Sequence, residues 1–93
     1  MNPYLFKEGG EKVLELLQHE KKVVGIKQVT RTLNEGQAVK CVYLADDAET
    51  HLLEKVRMLA SEHQVEIVPV ETRKILGMHC GIDVGATVVA VLK

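Results

Sequence analysis

Lys27, Gln28 and Arg31 fall together on one side of any helix drawn through the stretch Val24-Gly25-Ile26-Lys27-Gln28-Val29-Thr30-Arg31-Thr32-Leu33-Asn34-Glu35-Gly36. Ile26, Val29 and Leu33 take the other side, at the three- and four-residue spacing of a buried helical face. The stretch reads as an apolar lead-in, a glycine turn at Gly25 and a helix of about three turns that stops at Gly36. A helix N-terminus carries partial positive charge and unpaired amides, and it favours Asp or Glu. Here the first half of the helix holds two cations and no acid. A positive helix end reinforced by Lys27 and Arg31 suits an anion, with phosphate the first candidate. A plain solvated face is the alternative reading of the same residues.

A second unusual place is the loop Ile82-Asp83-Val84-Gly85, which follows Gly81. Its apolar residues are either tucked into the core, the commoner outcome, or held out to meet a partner. Catalytic arrangements are weak. The histidines are His19, His51, His63 and His79. His51 and Glu54 stand at i and i+3, but no second pair at ligand spacing accompanies them, so no metal site is expected. His79-Cys80 is a neighbouring base and thiol, although an activated thiol needs a base placed by the fold. Neither a G-x-x-x-x-G-K-[ST] nor a G-x-G-x-x-G segment occurs, so both phosphate fingerprints are absent and no cofactor is expected.

These residues need elements to hold them. Residues 1–10 read as a loosely ordered lead-in, ended by Gly9-Gly10. A helix is expected from about Glu11 to His19, with Val13, Leu14, Leu16 and Leu17 inward. Lys21-Lys22-Val23-Val24 is a short strand that feeds the key helix. Residues 38–45 form a near-continuous apolar run of β-formers, which fits a buried central strand. Asp46 and Asp47 are placed to cap the next helix, expected over Glu49–His63 with Leu52, Leu53, Val56, Leu59 and Ala60 inward. Residues 65–70 make another strand, which Pro69 assigns to an edge or a terminus. Thr72 caps a short helix to His79, weakened by Gly77 and ended by Gly81. Residues 86–92 make a last strand, apolar enough to be covered on both faces. Alternating helices and strands predict a sheet with helices on both faces.

The 93 residues specify one domain over 1–93, and 46% apolar content is enough for one modest core. No run of about 18 apolar residues marks a membrane span, and the N-terminus lacks the apolar core and cleavage site of a signal peptide. Cys41 lies in an apolar run as a reduced thiol would, and two cysteines do not make a secreted disulfide framework. A cytoplasmic protein is expected. The net charge of −1 argues against non-specific coating of nucleic acid. Its distribution is uneven. Residues 21–40 hold Lys21, Lys22, Lys27, Arg31 and Lys40 against Glu35, a balance of +4. Residues 46–66 hold Asp46, Asp47, Glu49, Glu54, Glu62 and Glu66 against Lys55 and Arg57, a balance of −4. With Tyr4, Phe6 and Tyr43 as its aromatics, the chain lacks the rings that stack single-stranded bases. A nucleic acid would have to be read as a folded shape.

Two segments resemble the kink-turn-binding ribosomal protein family, the archaeal L-seven-Ae and L-thirty-e type, and its small bacterial paralogues above all. Gly25-Ile26-Lys27-Gln28-Val29-Thr30-Arg31 is similar to the family's G-x-[NK]-[EQ]-x-x-[KR] segment. Leu76-Gly77-Met78-His79-Cys80-Gly81-Ile82-Asp83-Val84-Gly85-Ala86 is similar to its L-G-x-[AC]-x-G-[IL]-[ED]-V-[GP] block. The two stand in the right order, and the resemblance covers roughly residues 13–92. It implies an α/β fold, a three-layer α-β-α sandwich around a four-stranded mixed sheet. It also implies binding of kink-turn RNA without catalysis, and a ribosomal RNA as a partner. On this resemblance Lys27, Gln28 and Arg31 contact guanine edges and phosphates at tandem G·A pairs, with Gly25 letting the backbone approach. Ile82 and Val84 form an apolar lid over the bulged nucleotides with Asp83 between them, and Lys74 and Arg73 add phosphate contacts. Lys27-Gln28 departs from the Asn-Glu of archaeal members, and Asp83 is shorter than the common Glu. A monomer suffices for all of this. Two rivals remain, a protein-binding module on the same scaffold and a thiol enzyme using Cys80 and His79.

Overall fold

The computed structural model describes Leu17 and residues 20–93. The expected lead-in over 1–10 and most of the expected helix over 11–19 lie outside the described residues. Seven elements follow in order: β1 (Lys22–Val24), α1 (Ile26–Asn34), β2 (Val39–Ala45), α2 (Thr50–Glu62), β3 (Ile67–Val70), α3 (Arg73–Cys80) and β4 (Val88–Leu92). The strands form one mixed sheet in the order β1-β4-β2-β3. β4 is antiparallel to both β1 and β2, and β3 is parallel to β2.

The apolar runs of β2 and β4 take the two inner positions, where both faces are covered. Val42, Leu44, Val88 and Ala90 point to one face, with Val29 and Leu33 of α1 and Val56 of α2 packed on them. Cys41, Tyr43, Ala45, Val89 and Val91 point to the other, under Leu76 and Cys80 of α3 and Leu17. Each fully buried valine or leucine contributes roughly 1.5–3 kcal/mol. The three-layer α/β sandwich expected from the sequence is the observed one. Pro69 lies on β3, an edge strand, as a residue without an N–H should.

One irregularity adjusts the pattern. The β2–β4 register shifts between Val39 and Cys41, so that Lys40 is an extra residue. Strict alternation would put Val39 on the side of Cys41. The bulge places it with Val42 and Leu44 instead, and turns Lys40 out to pair with Glu20 at 3.4 Å.

The three described helices end alike. The N–H groups of Gly36 and Gln37 donate to the carbonyls of Leu33 and Thr32, those of Gln64 and Val65 to Ser61 and Ala60, and those of Gly81 and Ile82 to Met78 and Gly77. Each is a paired closure around a residue with positive φ. Gln64 takes that position without being glycine, at φ 57°.

Candidate nucleic-acid interface

The sheet brings the two marked segments to one end. There the C-terminal ends of β1, β2 and β3 meet the start of β4. The Gly25 N–H donates to the Val88 carbonyl (2.9 Å), and the Ala45 N–H to the Thr87 carbonyl (2.9 Å). The Asp46 N–H donates to the Val70 carbonyl (2.8 Å). The α1 N-terminus, the β2–α2 turn, the α3 N-terminus and the α3–β4 loop therefore cluster. In α/β sheets the carboxyl ends of strands are the usual place for a ligand.

Gly25 has φ 104°, and space is open where a Cβ would stand. A side chain there would be strained and would also stand between the backbone and any partner. α1 begins with no side-chain cap and no acid in its first turn. Its leading amides are open to an incoming acceptor. Lys27 and Gln28 are exposed beside them. Arg31 is exposed as well, and its Nε contacts Glu35 Oε2 at 3.2 Å. That i,i+4 pair is an exposed one, worth at most about 1 kcal/mol, so a phosphate can divert the guanidinium.

The second segment is built more tightly. The Thr72 hydroxyl accepts from the Ile75 N–H (3.1 Å), the cap expected from the sequence. Asp47 accepts from both the backbone N–H (2.9 Å) and the Nε (3.3 Å) of Arg73. The expectation that Asp46 and Asp47 cap α2 is thus corrected. α2 starts at Glu49 without a side-chain cap, and Asp47 is drawn across to α3. Arg73 and Lys74 are both exposed, and Arg73 leans on Asp47 in an exposed ion pair at 3.3 Å. An open cleft of about 400 Å³ lies among Asp47, Arg73, Lys74, Gly85 and Thr87.

Gly77 is a further correction. The sequence marks it as a weakness of the helix, but a Cβ there would collide with the Val84 carbonyl oxygen. The glycine lets the α3–β4 loop lie directly on α3. A mid-helix glycine is itself a hint of close backbone approach, although the sequence does not name what approaches. The loop resolves both readings of its apolar pair. Ile82 packs against the core, and Val84 is 70% exposed, with Asp83 exposed between them.

The thiol rival fails on environment. Cys80 is buried, which pushes its thiol above the ordinary value, and the Lys22 charge opposes this in part. Burial likewise raises Cys41, against a hydrogen bond with Tyr43. An activated thiol requires the opposite shift.

Residues 7–93 match the profile of the Ribosomal protein L7Ae/L30e/S12e/Gadd45 family. The chain belongs to that family. Among its relatives, an RNA-binding protein of Geobacillus thermodenitrificans (strain NG80-2) is 44% identical over 79 residues, which cover 85% of this chain and 95% of the relative. The RNA-binding protein YbxF of Geobacillus stearothermophilus is 43% identical with the same coverage. A similar fold is seen in the solved structure of a protein with unknown function from Bacillus halodurans C. It superposes with a TM-score of 0.80 at 28% identity, over 88% of this chain and 85% of that one. The resemblance read from residues 25–31 and 76–86 to the small bacterial members of the L7Ae family is therefore correct. These relatives are named for binding rather than catalysis.

Proposed function

We propose that this chain binds RNA, and specifically recognises and stabilises kink-turns, in association with the ribosome and with one copy of the chain per site. The observation that carries the reading is the meeting of an uncapped, acid-free helix start with the α3–β4 loop at one end of the sheet. Lys27 and Gln28 approach the edges of the tandem G·A pairs, and Gly25 lets the RNA come close. A kink opens the RNA major groove that is otherwise too narrow to read, and Lys is a donor suited to guanine O6 and N7. Arg31 and Lys74 meet phosphates that the bend crowds together. Arg73 contributes its charge from its seat on Asp47. Val84 covers the bulged nucleotides, one of which has room in the cleft beside Lys74 and Thr87. Ile82 holds the loop from beneath, and Asp83 sits exposed at its turn.

Fluorescence titration at fixed, stated salt tests this, against a short kink-turn RNA and a matched RNA with its G·A pairs changed to Watson–Crick pairs. Tight binding to the first and weak binding to the second is expected. Changing Lys27 to Ala should cost about 1–3 kcal/mol of that preference. Equal affinity for both RNAs, or full affinity after Lys27 and Arg31 are both changed to Ala, overturns the proposal.

A further inference from the structure

α1 and α2 lie side by side on one face of the sheet, and a groove runs between them on the outer surface. At its first half it is a cavity of about 390 Å³ floored by Ile26 and Leu52 and rimmed by Lys27, Arg31 and Lys55. Thr30 and Lys55 join it to a second cavity of about 200 Å³ lined by Leu59 and Met58 and ended by Asn34 and Glu62. Met58 is 64% exposed there. Burying a thioether that now faces water would be favourable, and methionine adapts its shape to what covers it. Lys55 and Met58 belong to neither segment of the RNA interface.

The charge along the groove is ordered. Lys27 and Arg31, the latter touching Glu35, stand at the end near the start of α1, Lys55 stands midway, and Glu62 stands at the other end. The floor is aliphatic throughout and offers no ring for a base to stack on. A helix of nine residues is roughly 13 Å long, so the groove along α1 has the length of about two turns. Apolar anchors at i, i+3 and i+7 of a second helix would fill it, and acids on that helix would face the cations. We propose that this groove is the docking site for an acidic, amphipathic helical segment of a protein partner, oriented with its acids over Lys27, Arg31 and Lys55. Lys27 and Arg31 are shared with the RNA interface, so RNA and partner compete for them.

The probe is a synthetic fluorescent peptide of about twelve residues held helical by a covalent i,i+4 staple, with Leu on one stripe and Glu elsewhere. Its controls carry Ser for the Leu residues or Lys for the Glu residues. Size-exclusion mass and kink-turn affinity are followed alongside. Expected results are binding by the acidic Leu probe alone, and displacement by kink-turn RNA. Met58→Ser and Lys55→Glu should each weaken the probe by about fivefold or more, with unchanged melting curves and, for Met58→Ser, unchanged kink-turn affinity. The exposure of both side chains keeps these variants folded. Equal binding of the Lys control, or unaltered binding by both variants, overturns the proposal. So does a Lys55→Glu effect confined to RNA affinity, which makes the groove an RNA contact. A size-exclusion mass that doubles in the wild type and halves in Met58→Ser puts a second copy of the chain there and overturns it too.

Discussion

The N-termini of α1 and α3 stand at the same end of the sheet and are finished in opposite ways. α3 has its leading amides taken twice over, by the Thr72 hydroxyl and by the Asp47 carboxylate reaching from another loop. α1 has no side-chain cap, and Lys27 and Gln28 stand where an acid would be most stabilising. The closed end is bolted to the β2–α2 turn and fixes the loop that carries Val84. The open end leaves its leading amides without a side-chain acceptor. An unoccupied helix start is informative because a satisfied one lies at the same end of the same fold.

The comparison breaks most readily at Gly77. A Gly→Ala change inside a helix ordinarily gains up to about 1 kcal/mol. Gly77→Ala should instead lose about 2–3 kcal/mol, because backbone rather than a flexible side chain occupies the space. Thermal or denaturant unfolding measures this. A more stable Gly77→Ala would mean that the loop does not rest on α3.

Gln28→Asp sharpens the contrast by giving α1 the acid it lacks. Stability should rise by about 0.3–1 kcal/mol through the helix dipole. Affinity for a kink-turn RNA should fall by about 1–3 kcal/mol, since a carboxylate then faces the RNA. Paired melting curves and titrations check the two signs. A variant that gained stability and kept its affinity would show that the open end is not an RNA contact.

The packed side of the molecule has its own signature. Cys41, Cys80 and Tyr43 all have folded-state values raised mainly by burial, the thiols from a reference of 9.0 and the phenol from 10.0. Between a group's unfolded and folded values, the folded state holds its proton and the unfolded state has lost it. Stability from these groups is therefore full below about pH 8.5 and falls as pH rises, by up to about 1.4 kcal/mol per pH unit for each group. Guanidinium unfolding from pH 7 to 11 should show that decline, and Cys80→Ala should flatten part of it.

The smallest effect is expected at Gln64, the non-glycine among the three helix closures. Gln64→Gly should stabilise the chain by about 0.5–1 kcal/mol, because the left-handed conformation strains a residue with a Cβ. No change in melting temperature would mean that the strain is already relieved.

Much of this was legible in the sequence. Residues 86–92 announced a strand covered on both faces by being apolar without alternation, although the strand itself begins only at Val88, and Pro69 announced an edge. Thr72 announced a cap because its side chain acts on a neighbour three residues away. Asp47 did not announce its role, since its partner Arg73 is 26 positions along the chain and only the fold brings them together. Arg31 looked free because the sequence does not say which rotamer will meet Glu35. Val84 and Ile82 are two residues apart and equally apolar, and their opposite fates depend on the approach allowed by Gly77. Local rules identified the elements, while contacts between elements decided which marked residues stayed available.

β4 comes last in chain order among the described strands, and it enters the sheet between β1 and β2, which lie far earlier in the sequence. Before it arrives, β1 and β2 have no common neighbour. The Gly25 N–H lacks the Val88 carbonyl, and the Ala45 N–H lacks that of Thr87. Pairings so distant along the chain are slow to form, since a long loop must close first. A chain cut short of Val88 should thus carry the residues of α1, with its cations and glycine, yet lack the strand that packs and orients them. Orientation of the α1 start and completion of the sheet are then one event.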